Sequence, residues 1–130
     1  MAHTNIETAL NDLLFNPVLP LRVAVDRHFT PDYRQRTDGS WTDLAGFTAH
    51  IAALRDIVKD GSVEVHEELV DNSKYADRNT VKVTKATGET AVMEVYLFAD
   101  LAPDGRFRRI EETTLPIAGR ETDRDLGSRS

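Results

Sequence analysis

The chain has 130 residues, no cysteine, 16 Lys+Arg against 22 Asp+Glu, and hydrophobic residues at 40%. That length fits one domain with a core of its own, and the absence of Cys excludes disulfides and thiol chemistry. A net charge of −6 argues against an electrostatic nucleic-acid footprint, whose only basic cluster would be Arg106, Arg108 and Arg109.

The first residues, 1–10, lack the basic start and apolar run of a signal peptide. The longest apolar stretch, from Leu13 to Val25, is interrupted by Asn16, Pro17, Pro20 and Arg22 and is too short and too polar to span a bilayer. A soluble, cytoplasmic protein without membrane or nucleic-acid partners is expected.

Thr4 with Glu7 forms a capping-box pattern, and Ile6, Leu10, Leu13 and Leu14 follow at helical spacing, predicting a helix to about Phe15. Asn16 and Pro17 end it. Leu21, Val25 and Phe29 recur at spacings of four and predict a second helix over residues 20–28. In residues 32–36, Tyr33 and Gln35 alternate with charges as in a short strand, before the turn Asp38-Gly39-Ser40. Leu44, Phe47, Ile51, Leu54 and Val58 then place a third, longer helix at 42–59, with Ser40 or Thr42 as cap and Gly61 as terminator.

Beyond Gly61 the period becomes two. Residues 63–71 alternate as a strand, residues 80–85 alternate β-branched and basic side chains, and Thr87-Gly88-Glu89 closes a hairpin into residues 90–99. That strand is apolar on both faces, with Glu94 its only charge before Asp100. Asp104-Gly105 makes a second hairpin, and residues 107–117 form the last strand. The polar tail, 118–130, is expected to fray beyond a single domain spanning 1–117.

The order of three N-terminal helices followed by a β-meander is an α+β pattern, a curved antiparallel sheet wrapped around the long helix as a cone. Helices can cover one face of a four-stranded sheet. The doubly apolar strand then asks for a second cover, and a homodimer partner on the outer sheet face supplies one.

No glycine-rich phosphate motif occurs, and His66-Glu67 has no second His at position 70, so neither cofactor nor metal is expected. The chain does resemble a known superfamily. The residues carrying the resemblance are His28-Phe29-Thr30-Pro31-Asp32-Tyr33, the segment from Trp41 to Val58, and Tyr96-Leu97-Phe98-Ala99-Asp100 through Asp104-Gly105-Arg106-Phe107 to Glu112. Over about residues 5–117 the chain is similar to a SnoaL-like domain of the nuclear transport factor 2-like superfamily. That group includes polyketide cyclases, ketosteroid isomerase and limonene epoxide hydrolase.

The resemblance implies an apolar pocket between sheet and helices, for a small apolar organic molecule, holding one or two ionisable groups. Where many SnoaL-like chains carry His after the Tyr-x-x stretch, this chain has Arg36, which cannot act as a general base. Three reassignments stand open. Asp38 takes over as base; Arg36 anchors an acidic ligand in a non-catalytic binding module; or Glu112, which alternation places beside Ile110 and Thr114, supplies the acid or base.

His66, sharing a face with Glu68 by alternation, is a further candidate proton carrier. Tyr33 and Trp41 are candidate ligand-stacking walls, and Tyr96 a candidate inward hydroxyl. His50, beside Phe47, Ile51 and Leu54, reads as a histidine at the edge of the core. Isomerase, cyclase or hydrolase chemistry by carboxylates, simple ligand binding, and protein interaction through the outer sheet are the three functional readings.

Overall fold

In a computed structural model, which describes residues 3–118, the elements run α1 (Ile6–Leu14), α2 (Leu21–His28), β1 (Phe29–Thr37), β2 (Ser40–Asp43), α3 (Leu44–Ile57), β3 (Val58–Asp71), β4 (Lys74–Lys85), β5 (Thr90–Leu101) and β6 (Phe107–Ala118). All nine belong to one α+β unit, whose six strands form a single sheet in the order β2-β1-β6-β5-β4-β3. The sheet is mixed where an antiparallel one was expected, because β1 runs parallel to β6 while every other pair is antiparallel. A β1–β2 hairpin also separates α2 from α3, so the helices are not consecutive. The tail from 119 onward lies outside the described residues.

Each helix begins one or two residues away from its expected start. Asn5 caps α1, its Oδ1 accepting from Thr8 N at 2.8 Å. Thr4, the expected cap, instead sets its hydroxyl 2.6 Å from His28 Nδ1, and His28 Nε2 donates to Asp12 Oδ2 at 2.6 Å. Asp43 caps α3 by accepting from Gly46 N at 2.9 Å. At the other end, α3 stops at Ile57 and Gly61 lies inside β3. A Cβ on Gly61 would sit 2.3 Å from the Lys82 carbonyl and 2.4 Å from the Phe15 ring, so glycine lets α1 rest its last aromatic directly on the sheet.

Arg55 of α3 fastens the helices to one another. Its guanidinium donates to the carbonyls of Leu13 (2.6 Å), Leu19 (2.8 Å) and Asp12 (3.0 Å), which satisfies C-terminal carbonyls of α1 with a cation where the helix dipole favours one. The Asp38-Gly39 turn has φ of 48° and 92°, the left-handed pair that a two-residue hairpin requires.

Alternation decides the two faces of the sheet. On β5, Ala91, Met93, Val95, Leu97, Ala99 and Leu101 are buried beneath the helices. Tyr96 and Phe98 point the other way, and Phe98 is 72% exposed. On β3, register shifts between Val65 and Glu67 move the pattern by one residue, so Val63 and Val65 share the inner side with Glu68. Among the described residues, no helix is long and apolar enough to cross a membrane.

Candidate active site

Between the helices and the inner sheet face lies a cavity of about 110 Å³, enclosed by Leu10 and Leu13 of α1, Phe47 and Ile51 of α3, and Val95 and Leu97 of β5. For scale, an engineered apolar cavity of about 150 Å³ accepts benzene. Its walls are almost wholly apolar. The polar exceptions include Gln35, Asn79, Glu112, Thr114 and His50, the last lying deeper than the core edge where the sequence placed it.

Glu112 is the ionisable carboxyl of this cavity. Register pairs it with Thr37 across the parallel β1–β6 contact, and Thr37 Oγ1 donates to Glu112 Oε1 at 3.0 Å. Behind it stand the other inward residues of β1. Tyr33 donates its hydroxyl to Gln35 Oε1 at 2.7 Å, and Gln35 Nε2 donates to Thr37 Oγ1 at 3.0 Å. The spacing of two along a strand puts all three side chains on one side, so the file Tyr33, Gln35, Thr37 delivers every proton toward the carboxylate.

The hydrogen bond from Thr37 holds the carboxyl by Oε1. Burial in apolar surroundings pushes the Glu112 carboxyl up to about 7, against the Thr37 hydrogen bond, and the charges of Asp38 and Asp77 add to the rise. A group poised there can either take or give a proton near neutral pH.

A second polar cluster lies on β4. The Tyr75 hydroxyl accepts from Ile6 N at 3.2 Å and lies 2.5 Å from Glu68 Oε2 and 3.0 Å from Asp77 Oδ2, while Asn79 Nδ2 donates to Asp77 Oδ1 at 2.8 Å. A phenol has one proton and cannot serve both carboxylates, so this arrangement is completed when Asp77 carries a proton of its own. Burial accordingly pushes Asp77 up to about 6, opposed by the bonds from Asn79 and Tyr75 and assisted by the charge of Glu68. Burial first, and then the Glu68 contact, hold the Tyr75 phenol far above its ordinary value.

The sequence-predicted residues divide sharply. Glu112 and Tyr33 line the cavity. Asp38 lies beside it as a structural clasp, its carboxylate accepting from Thr114 N at 2.9 Å and Thr114 Oγ1 at 2.6 Å, which occupies both oxygens. Four candidates stand away from the cavity. Arg36 alternates outward from Gln35 and sets its guanidinium 3.7 Å from Glu111. Trp41, on the edge strand β2, is half exposed and carries the Arg34 guanidinium 4.9 Å above its ring.

Tyr96 lies on the outer face with Glu94 as hydrogen-bond partner. His66 likewise stays outside, bonded to Thr80 Oγ1 at 2.6 Å and 3.3 Å from Glu64, because the bulge on β3 turns Glu68 inward without it. Gln35, Thr37, Asp77 and Asn79 were not singled out. Gln35 sits in the short strand expected at 32–36, where a polar residue reads by default as solvated, and Asp77 and Asn79 precede the strand expected at 80–85, which in the structure begins at Lys74. Among the described residues no cluster suited to a metal ion occurs.

The sheet order and the three helices over one face define the nuclear transport factor 2-like fold. Solved structures agree. The chain superposes on an epoxide hydrolase of the LEH-like type from M. tuberculosis with a TM-score of 0.67 at 16% identity, covering 84% of this chain and 78% of that one. It superposes on a protein from Jannaschia classed as a SnoaL-like polyketide cyclase with a TM-score of 0.60 at 16% identity, covering 88% and 90%. A protein of ketosteroid isomerase-like fold from Catenulispora acidiphila gives 0.61 at 10% identity, covering 82% and 80%.

No family model matches the sequence. Within this fold, the chain belongs to the same family as the uncharacterized protein C11D3.04c of Schizosaccharomyces pombe, to which it is 33% identical over 99 residues, 76% of this chain and 75% of that protein.

Proposed function

We propose that the protein is a small-molecule enzyme in which Glu112 takes and returns a proton next to the carbonyl group of a small, apolar, single-ring substrate. One observation carries the reading: a carboxyl whose proton affinity is tuned to neutrality by burial, set in an apolar cavity with one oxygen held by Thr37. The LEH-like epoxide hydrolase and the cyclase-class protein share the fold and support acid–base chemistry as its use. The arginine-anchored binding module loses its support, because Arg36 faces away from the cavity beside Glu111.

The test is deuterium incorporation from D2O at the α-carbon of cyclohexanone and cyclohex-2-enone, followed by proton NMR. Exchange above the buffer rate, rising with pH through about 7 as Glu112 ionises, is expected. Exchange at the buffer rate together with a Glu112 carboxyl titrating near its ordinary 4.5 would sink the proposal.

A second observation concerns the outer face, where Leu69 and Phe98 are 73% and 72% exposed and Tyr96, Leu115 and Ile117 extend the apolar surface. Leu69 pairs with Ala76, and Ala76 with Phe98, so the patch is continuous across three strands. Patches of this kind mark interaction sites. We infer that a second copy of the chain covers it, the cover that the doubly apolar strand β5 asks for. Sedimentation velocity is expected to give twice the 14.6 kDa chain mass, reverting to one chain in Phe98→Arg. A wild-type monomer at all concentrations would refute the pairing.

A further inference from the structure

The proposed chemistry uses Glu112 but leaves Asn79 unexplained. Asn79 is fully buried, lines the cavity, and commits its Nδ2 to Asp77, while its Oδ1 has no hydrogen-bond partner among the described residues. A buried carbonyl oxygen left unpaired is costly, and native proteins keep few of them without a use. The orientation of the amide follows from its neighbour: a proton on Asp77 belongs to the Oδ2 that faces Tyr75, so Oδ1 accepts in either state, the Asn79 NH2 turns to it and the amide oxygen turns away.

Register locates this acceptor relative to Glu112. Asn79 pairs with Val95, and Val95 with Thr114; one step along, Asp77 pairs with Leu97, and Leu97 with Glu112. Asn79 and Glu112 therefore stand two strands apart and two residues offset along them, a backbone separation of about 12 Å, with Val95 and Leu97 between them on the cavity floor. A molecule that touches both must be apolar in the middle and polar at its two ends. Among the described residues no Lys or Arg lines the cavity, so an anion would be desolvated there without compensation.

We infer that the cavity takes a neutral, single-ring molecule carrying a hydroxyl or N–H that donates to Asn79 Oδ1, with the reacting end of the ring at Glu112. This rests on the reading of the cavity as a substrate site, and makes Asn79 its specificity-determining residue. A site built to receive a donor discriminates strongly against an isostere that lacks one, because the acceptor is then sealed in unpaired.

Phenol and toluene form a suitable probe pair, equal in shape and differing in the donor. Isothermal titration calorimetry is expected to show phenol binding at least tenfold tighter than toluene, the preference disappearing in Asn79→Leu and persisting in Glu112→Gln. Because binding is read in place of turnover, and persists without the Glu112 carboxylate, failure of the proton-transfer proposal leaves this result intact.

Should Asn79→Leu fail to fold, the wild-type protein supplies the same answer: phenol, and not toluene, should shift the Asn79 side-chain amide resonances. Equal affinity for the two probes, a preference abolished by Glu112→Gln instead of Asn79→Leu, or tighter binding of benzylammonium than of phenol would each overturn the assignment.

Discussion

Glu112→Gln is expected to lower any proton-transfer activity by about 10²–10⁴-fold and, at the same time, to stabilise the protein above pH 7. The first effect removes the one carboxyl that, among the described residues, lines the cavity. The second follows from linkage. The folded-state value of Glu112, about 7, lies above its ordinary 4.5, so between these pH values the native state binds the more protons.

Stability contributed by the protonated carboxyl is therefore fully present below about pH 4.5 and is lost as pH rises through 7. The full difference corresponds to about 3 kcal/mol. Glutamine keeps an oxygen for Thr37 and does not titrate. Urea unfolding of wild type and variant should coincide near pH 4 and diverge by up to about 3 kcal/mol at pH 8, the variant being the more stable. Asp77, raised from 3.8 to about 6, has the same sign, so part of the slope should remain in Glu112→Gln. Identical pH–stability curves would mean that the carboxyl is solvated.

Tyr75→Phe is the second large effect, a loss of about 3 kcal/mol in unfolding free energy. The ring keeps its edge-on contact with Phe107, at 5.3 Å between centroids, so the apolar packing survives. What disappears is one oxygen serving three groups: the Ile6 amide at the start of α1, Glu68 and Asp77. The loss should be greater at pH 8, where Asp77 is charged and lacks the phenol's proton, than at pH 5, where Asp77 is largely neutral. Hydrogen exchange at the Ile6 amide should accelerate with it. A change below about 1 kcal/mol with unaltered Ile6 exchange would show that the hydroxyl does not tie the helix to the sheet.

Glu112 was legible because alternation in β6 is strict at that point: Ile110 and Thr114 are buried on its two sides. The helices were legible for a similar reason, since their apolar periods are long. The outward candidates show where such reasoning ends. In β5 both faces are apolar, so no contrast in polarity tells which of Tyr96 and Leu97 points inward; tertiary packing decides. Past His66, which alternates outward from Val65, a one-residue bulge brings Glu68 to the inner face without any mark in composition.

The parallel partnership of β1 with β6 was invisible for a different reason. It joins residues such as Phe29 and Phe107, far apart in the chain, and local patterns carry no information about such pairings. The Arg34 and Arg36 alternation showed that Tyr33 and Gln35 share a face, but not that Thr37 would meet Glu112 there.

That parallel pairing also dictates the order in which the molecule can become competent. The strand bearing Tyr33, Gln35 and Thr37 is synthesised early, yet the carboxylate it serves arrives some 75 residues later, at the far end of the meander. Closing so long a loop is entropically demanding and tends to be slow. On a growing chain, β1 and its hairpin must wait beside an open sheet edge until β6 slots between β1 and β5. The proton file is thus built last, and a chain that has not completed its fold has no Glu112 site at all.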